Sequence, residues 1–289
     1  MNVYCSQDYN DTGVAFDTTR KAAAVAADLR AHPVDGVTLV EPAPATAAQL
    51  ERAHDLDYLD ALRSGSPRSL ADSNGIGWDP HLLRAVASST GGVIAAARDA
   101  VEHGHHAGSL SSGLHHARRG EGLGYCTVNG LAVAALDLRA AGVGRVLILD
   151  LDAHCGGGTA DIIDGEVGIE QVDVSVIPFD RYDGVRNATL HLAGARDYLS
   201  TIESALGAIP QPSTIDVVLY NAGMDPHEHA GGIAGIATSV LRTREQLVFD
   251  WAAQIGAPVA WVLAGGYRGP EFEMDDVVAL HRLTVEAAA

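Results

Sequence analysis

The chain has 289 residues and carries 19 Lys and Arg against 37 Asp and Glu, a formal charge of −18 at pH 7. With 47% hydrophobic and only 19% charged residues it can bury a large core, which excludes a disordered chain. Acidity of this size argues against a nucleic-acid partner, whose phosphates need Lys and Arg, although it is compatible with a cationic substrate.

Nothing resembling a repeat or a linker divides the chain, so one domain over residues 1–289 is expected. Asn2, Cys5, Gln7 and Asp8 interrupt any apolar leader, and no stretch approaches the ~18 consecutive apolar residues of a membrane span. The first β-branched run is Val37–Val40, followed by Ala/Leu-rich helical stretches near 46–63 and 80–103. A helix near 127–141 precedes the strand Val146–Leu151, and Val172–Ile177 is the next strand. A helix near 195–208, the strand Ile215–Tyr220, a helix near 239–255 and the strand Val259–Leu263 complete the series. These strands are apolar on both faces, as in a parallel sheet covered by helices on two sides. Ligand sites in such sheets form at the carboxyl ends of the strands, so chemistry is expected just after 151, 177, 220 and 263. The three cysteines, Cys5, Cys126 and Cys155, are too scattered for a disulfide framework, and a reducing cytoplasm is expected.

Four segments carry chemistry. Val146–Leu151 runs into Asp150-Leu-Asp152-Ala-His154, and alternation along an extended chain puts 150, 152 and 154 on one face. A carboxylate and an imidazole two residues apart have metal-chelate spacing. Ile215–Tyr220 leads to Asp225, a third oxygen ligand; two carboxylates and one imidazole leave zinc an open position, as in catalytic sites. His227 and His229 are read as rim residues. The pair His115-His116, in a Gly-flanked loop, fits a surface accident, a second metal pair, or a general base with its partner. His105-His106 shows how weak the dipeptide is alone and is read as solvated. Last, Gly265-Gly266-Tyr267 follows a strand, where a phenol can donate to a developing oxyanion or simply pack.

Taken together, Gly113-Leu-His-His-Ala117, Gly124-Tyr-Cys-Thr-Val-Asn129, Asp150-Leu-Asp-Ala-His154, Ala222-Gly-Met-Asp225 and Gly265-Gly-Tyr267 resemble, in family order, the zinc-dependent histone deacetylases. That family includes acetylpolyamine amidohydrolases and acetoin-utilisation proteins. The resemblance extends over roughly residues 40–270 and implies a single-domain, three-layer α/β fold of the arginase/deacetylase type, with a central, mostly parallel sheet flanked by helices. It implies Zn2+ held by Asp152, His154 and Asp225, and His115 and His116 as the catalytic pair, with His116 the general base. Tyr267 would polarise the scissile carbonyl and Asp150 would support His115. A structural K+ would lie near Asp150, His154 and Ser175, while Gly124 and Tyr125 would line the acyl channel.

The implied activity is removal of an acyl group from an acylated amine, such as acetyl-lysine or acetylpolyamine, by metal-activated water. Which amide is cleaved, and the oligomeric state, are not legible. The sequence departs from the family at Gly157, where a carboxylate or amide usually backs the second histidine, at Cys155, usually His, and at Gly130. His116 is therefore expected to lack a carboxylate partner and to be less basic. One alternative is a non-catalytic, zinc-containing acyl-amine binding module. Another, an arginase-like binuclear manganese ureohydrolase, is disfavoured because Gly156 and His227 occupy its further carboxylate positions.

Overall fold

The computed structural model describes residues 1–10 and 17–289. Among the described residues eight strands form one sheet: β1 Asn2–Tyr4, β2 Thr38–Val40, β3 Ala107–Ser109, β4 Val146–Asp150, β5 Ile169–Ser175, β6 Ala188–Leu192, β7 Val217–Asn221 and β8 Val259–Val262. Their order is β2-β1-β3-β8-β7-β4-β5-β6, and every pairing is parallel.

Alternation along the central strands builds two cores. In β4, Leu147 and Leu149 enter one apolar cluster while Val146 and Ile148 enter the other. The first cluster is covered by α1 Asp17–Ala31, α8 Tyr198–Gly207, α9 Thr238–Ile255 and α10 Met274–Ala288. The second is covered by α2 Ala47–Ala53, α3 Leu56–Ser64, α5 Leu82–His103, α6 Gly130–Ala140 and α7 Gly157–Ile163, with α4 Arg68–Ala71 beside α3. This is the three-layer α/β fold expected of the chain.

The stretch near 46–63 is two helices rather than one. His54 takes an extended conformation with φ −128° and ψ 144°, and Asp55 occupies the N-cap of α3. The break buries His54, whose Nε2 accepts from the Asn129 amide at 3.0 Å. The chain from β4 leads on to β5, on one side, and the chain from β7 leads to β8, on the other. Adjacent strands whose connections diverge in this way open a crevice at their carboxyl ends. Among the described residues, no helix is long and apolar enough to cross a membrane.

Candidate active site

The crevice between β4 and β7 gathers Asp152 and His154 from one strand end and Asp225 from the other. His154 Nδ1 stands 3.2 Å from Asp152 Oδ1 and 3.2 Å from Asp225 Oδ2. The two carboxylates are buried and the imidazole is half-buried. Asp152 is held well below the usual carboxylate range: burial opposes ionisation, but His115 and His154 outweigh it. Asp225 is pushed up to about 6 by burial and by the Asp152 charge. Its Oδ2, 3.2 Å from His154 Nδ1, is buried without an aligned hydrogen-bond donor.

This donor set fits a zinc ion. Donor atoms 3.2 Å apart match the edge, about 3.3 Å, of a tetrahedron with bonds of ~2.0 Å. Backbone closes the cradle behind them, because a Cβ on Gly265 would lie 2.2 Å from Asp225 Oδ2 and 2.5 Å from Asp152 Oδ2. The Gly265 amide instead donates to Asp152 Oδ2 at 2.9 Å.

Beside the cluster, the two adjacent histidines complete a buried chain of hydrogen bonds. Asp150 Oδ2 accepts from His115 Nδ1 at 2.7 Å, the two Nε2 atoms are 3.1 Å apart, and His116 Nδ1 lies 3.0 Å from Asp180 Oδ2. His115 is pushed up to about 10, because Asp150 and Asp152 overcome burial. His116 is pushed down to about 4 by burial and by the His115 charge, with Asp180 opposing. Two arrangements satisfy every atom, and the opposite shifts of the two rings favour one of them: His115 as imidazolium donates from Nε2 to a neutral His116, which donates from Nδ1 to Asp180.

The expectation that His116 lacks a carboxylate partner is therefore overturned. It has one, supplied by a loop 64 residues away in sequence rather than by position 157. Its basicity is low even with that partner, because burial and the His115 charge outweigh Asp180.

A cavity of about 570 Å³ opens over these groups, lined by His116, His154, Phe179, Tyr125, Gly124 and Tyr267 among others. Gly124 and Tyr125 have φ +54° and +65° between the paired residues Leu123 and Cys126, the dihedral signs of a tight two-residue reversal. That turn projects Tyr125 outward, 52% exposed, opposite Phe179 at 44%. Tyr267 is anchored by its amide, which donates to Ala230 O at 3.0 Å. Of the residues expected around a potassium ion, Asp150 and Ser175 are buried, and the Ser175 hydroxyl donates to Asp173.

Several residues that support the site were given no role by the sequence. Asn129 is fully buried and donates to His115 O, Ala117 O and Thr159 Oγ1 while capping α6, so it holds the histidine loop in place. Only its place at the end of the Gly-Tyr-Cys-Thr-Val-Asn tract could have pointed to it. Arg244, also fully buried, donates to the carbonyls of Leu151 and Gly223 and joins the two ligand-bearing loops from behind. His227 is not a rim residue: it is buried and bonded to Thr238 Oγ1 at 3.1 Å, whereas His229 is exposed. His105 is exposed as expected, but half-buried His106 accepts from the Val259 amide at 3.0 Å.

Residues 15–182 match the model of the histone deacetylase domain, a span that includes Asp152 and His154 but ends before Asp225 and Tyr267. An uncharacterised protein of Picosynechococcus sp. is 34% identical over 256 residues, 83% of this chain and 81% of that one. Histone deacetylase 2 of Arabidopsis thaliana is 27% identical over 79% of this chain and 63% of its own. In fold, the chain is similar to an acetylpolyamine aminohydrolase from Burkholderia pseudomallei, with a TM-score of 0.79 at 19% identity over 99% of this chain and 98% of that one. The chain belongs to the histone deacetylase family, within the superfamily of acetylpolyamine amidohydrolases and acetoin-utilisation proteins, and the family chemistry is hydrolytic deacylation of acylated amines.

Proposed function

We propose that this protein is a zinc-dependent amidohydrolase that removes a short acyl group, acetyl first among them, from an acylated amine such as acetyl-lysine or acetylpolyamine. The observation that carries the reading is the convergence of Asp152, His154 and Asp225 beneath a cavity whose wall holds His116 and Tyr267. When bound, zinc supplies Lewis acidity to the amide carbonyl and lowers the pKa of water from 15.7 towards ~7.

The chain supplies the rest. Phe179 and Tyr125 flank the acyl-amine stem and exclude water from it. Once the attacking water replaces His115 as the partner of its Nε2, His116, neutral and with its Nδ1 proton committed to Asp180, takes the water's proton there. The Tyr267 hydroxyl donates to the oxygen on which charge develops. His115, held cationic by Asp150, keeps positive charge beside that oxygen, and the proton on His116 Nε2 passes to the departing amine. This reading needs no potassium ion, for which only the resemblance speaks.

The test is turnover of a panel of acetyl-lysine peptides, acetylpolyamines and other short acyl amides by protein of measured metal content. Deacylation proportional to bound zinc is expected. Full zinc occupancy without turnover of any panel member would favour an acyl-amine binding protein.

A further inference from the structure

We propose that Asp180 is the positioning residue of His116, carried by the loop after β5, and that a glycine at 157 is what admits it. The inference rests on the hydrolytic reading for its effect on turnover, though not for its geometry.

Three features fix Asp180 in place. Its Oδ2, already bonded to His116 Nδ1, also accepts from the Gly158 amide at 3.1 Å, and Arg118 Nη2 donates to Oδ1. The carboxylate side chain is 1% exposed. Its backbone holds φ +57°, a left-handed conformation that disfavours any residue with a Cβ and that the surrounding contacts must maintain. At the first turn of α7, a Cβ on Gly157 would lie 2.3 Å from Asp180 O and 2.5 Å from its Oδ1. Asp180 thus fills the volume a side chain at 157 would need, and the two positions exclude each other sterically.

The consequence is a choice of tautomer. A carboxylate against Nδ1 keeps the ring proton there and leaves the Nε2 lone pair facing His115 and the cavity. Free neutral histidine favours the opposite tautomer, whose Nε2 already carries a proton and cannot take one. Arg118 shares the Asp180 charge through the other oxygen, so the carboxylate orients the ring more than it charges it.

The rival role is a plain ion-pair staple between Asp180 and Arg118. Nitrogen-15 NMR of histidine-labelled protein, carrying the metal it purifies with, separates the two near pH 8. The His116 signal is assigned from a His116→Gln sample. Wild type should show Nδ1–H and a bare Nε2. Asp180→Ala should move a measurable fraction of the proton to Nε2 and lower kcat by ~10–100-fold, with KM and metal content unchanged. Asp180→Asn, close in shape and able to fold if the alanine variant cannot, should keep the Nδ1–H tautomer and lose less of kcat. Arg118→Met should also keep the tautomer. A bare Nδ1 in wild type, an unchanged tautomer in folded Asp180→Ala, or a tautomer lost in Arg118→Met as fully as in Asp180→Ala would each overturn the proposal. Wild type without turnover would instead sink the hydrolytic reading and leave the tautomer result standing.

Discussion

Removing the Arg244 guanidinium should cost more than any single surface change and should be partly reversed by a second substitution. Arg244 and Glu245 are 0% and 1% exposed, with Nη2 and Nε at 2.6 and 2.8 Å from the same Glu245 oxygen. Arg244→Met leaves that carboxylate buried with only the Tyr220 hydroxyl as donor, since the other oxygen has none. Breaking a buried pair from one side costs about 3–5 kcal/mol. The carbonyls of Leu151 and Gly223 also lose their guanidinium donor, at 3.1 and 2.6 Å, at about 1 kcal/mol each. The loss is a large share of a total stability of ~5–15 kcal/mol. Arg244→Met/Glu245→Leu removes the stranded charge and should be more stable than the single variant by roughly 3 kcal/mol, a coupling expected of direct neighbours. Urea unfolding with matched m-values reads both differences, and metal titration of the folded double variant reads whether the two ligand loops have moved apart. A single variant within 1 kcal/mol of wild type, or a double variant no more stable than the single, would refute this account of the pair.

Asp152→Ala, His154→Ala and Asp225→Ala should each abolish stoichiometric zinc, since each leaves two donors; elemental analysis showing two manganese ions per wild-type chain would reject the mononuclear site. Tyr267→Phe should keep zinc and fold but lower kcat by ~10²–10³, the usual effect of losing one oxyanion donor, and unchanged turnover would make Tyr267 a packing residue. His54, 2% exposed, is pushed down to about 4 by burial against 6.5 in the unfolded chain, so the unfolded state binds the extra proton between those values. Stability should be unaffected by His54 above pH 6.5, fall as pH drops from there towards 4, and level off below, a total of about 3 kcal/mol; His54→Gln should remove that slope, and parallel pH curves would count against it. If the −18 charge steers substrates, kcat/KM for acyl amines bearing a second cationic group should fall with added salt; a preference for anionic amides at low salt would reject steering.

The central strands were legible because burial on both faces writes an unbroken apolar run, as in residues 146–149 of β4. Of the outer sheet only β2 was, as Thr38–Val40 inside the expected run Val37–Val40. β1 and β3 are three residues long, and β3 reads Ala-Gly-Ser, a composition with no strand preference that acquires its conformation from β1 and β8 on either side. Edge strand β6 is half exposed and has neither an apolar run nor a clean alternation. α7 begins Gly-Gly, a poor helix start by propensity, and α1 and α10 were not anticipated either. Tertiary packing decides these elements, so local sequence is silent about them.

The same division runs through the site. Asp150, Asp152 and His154 announce themselves because one extended segment carries all three at spacing two, and Asp225 because it too follows a core strand. Asp180 and Arg244 do their work from positions where no spacing rule applies. Asp180 sits between Phe179 and Arg181 in a polar loop, where a carboxylate reads as solvated, and only the path of the backbone after β5 brings it to His116. Position 157 then misleads in a definite way. Read along the chain, its glycine is a missing carboxylate; read in space, it is the gap that Asp180 occupies. A local departure from a motif therefore signals lost chemistry only when nothing else fills the vacated volume. The side chain to look for is one whose own conformation is strained, as φ +57° at Asp180 is, because contacts that hold such a residue in place must be made somewhere.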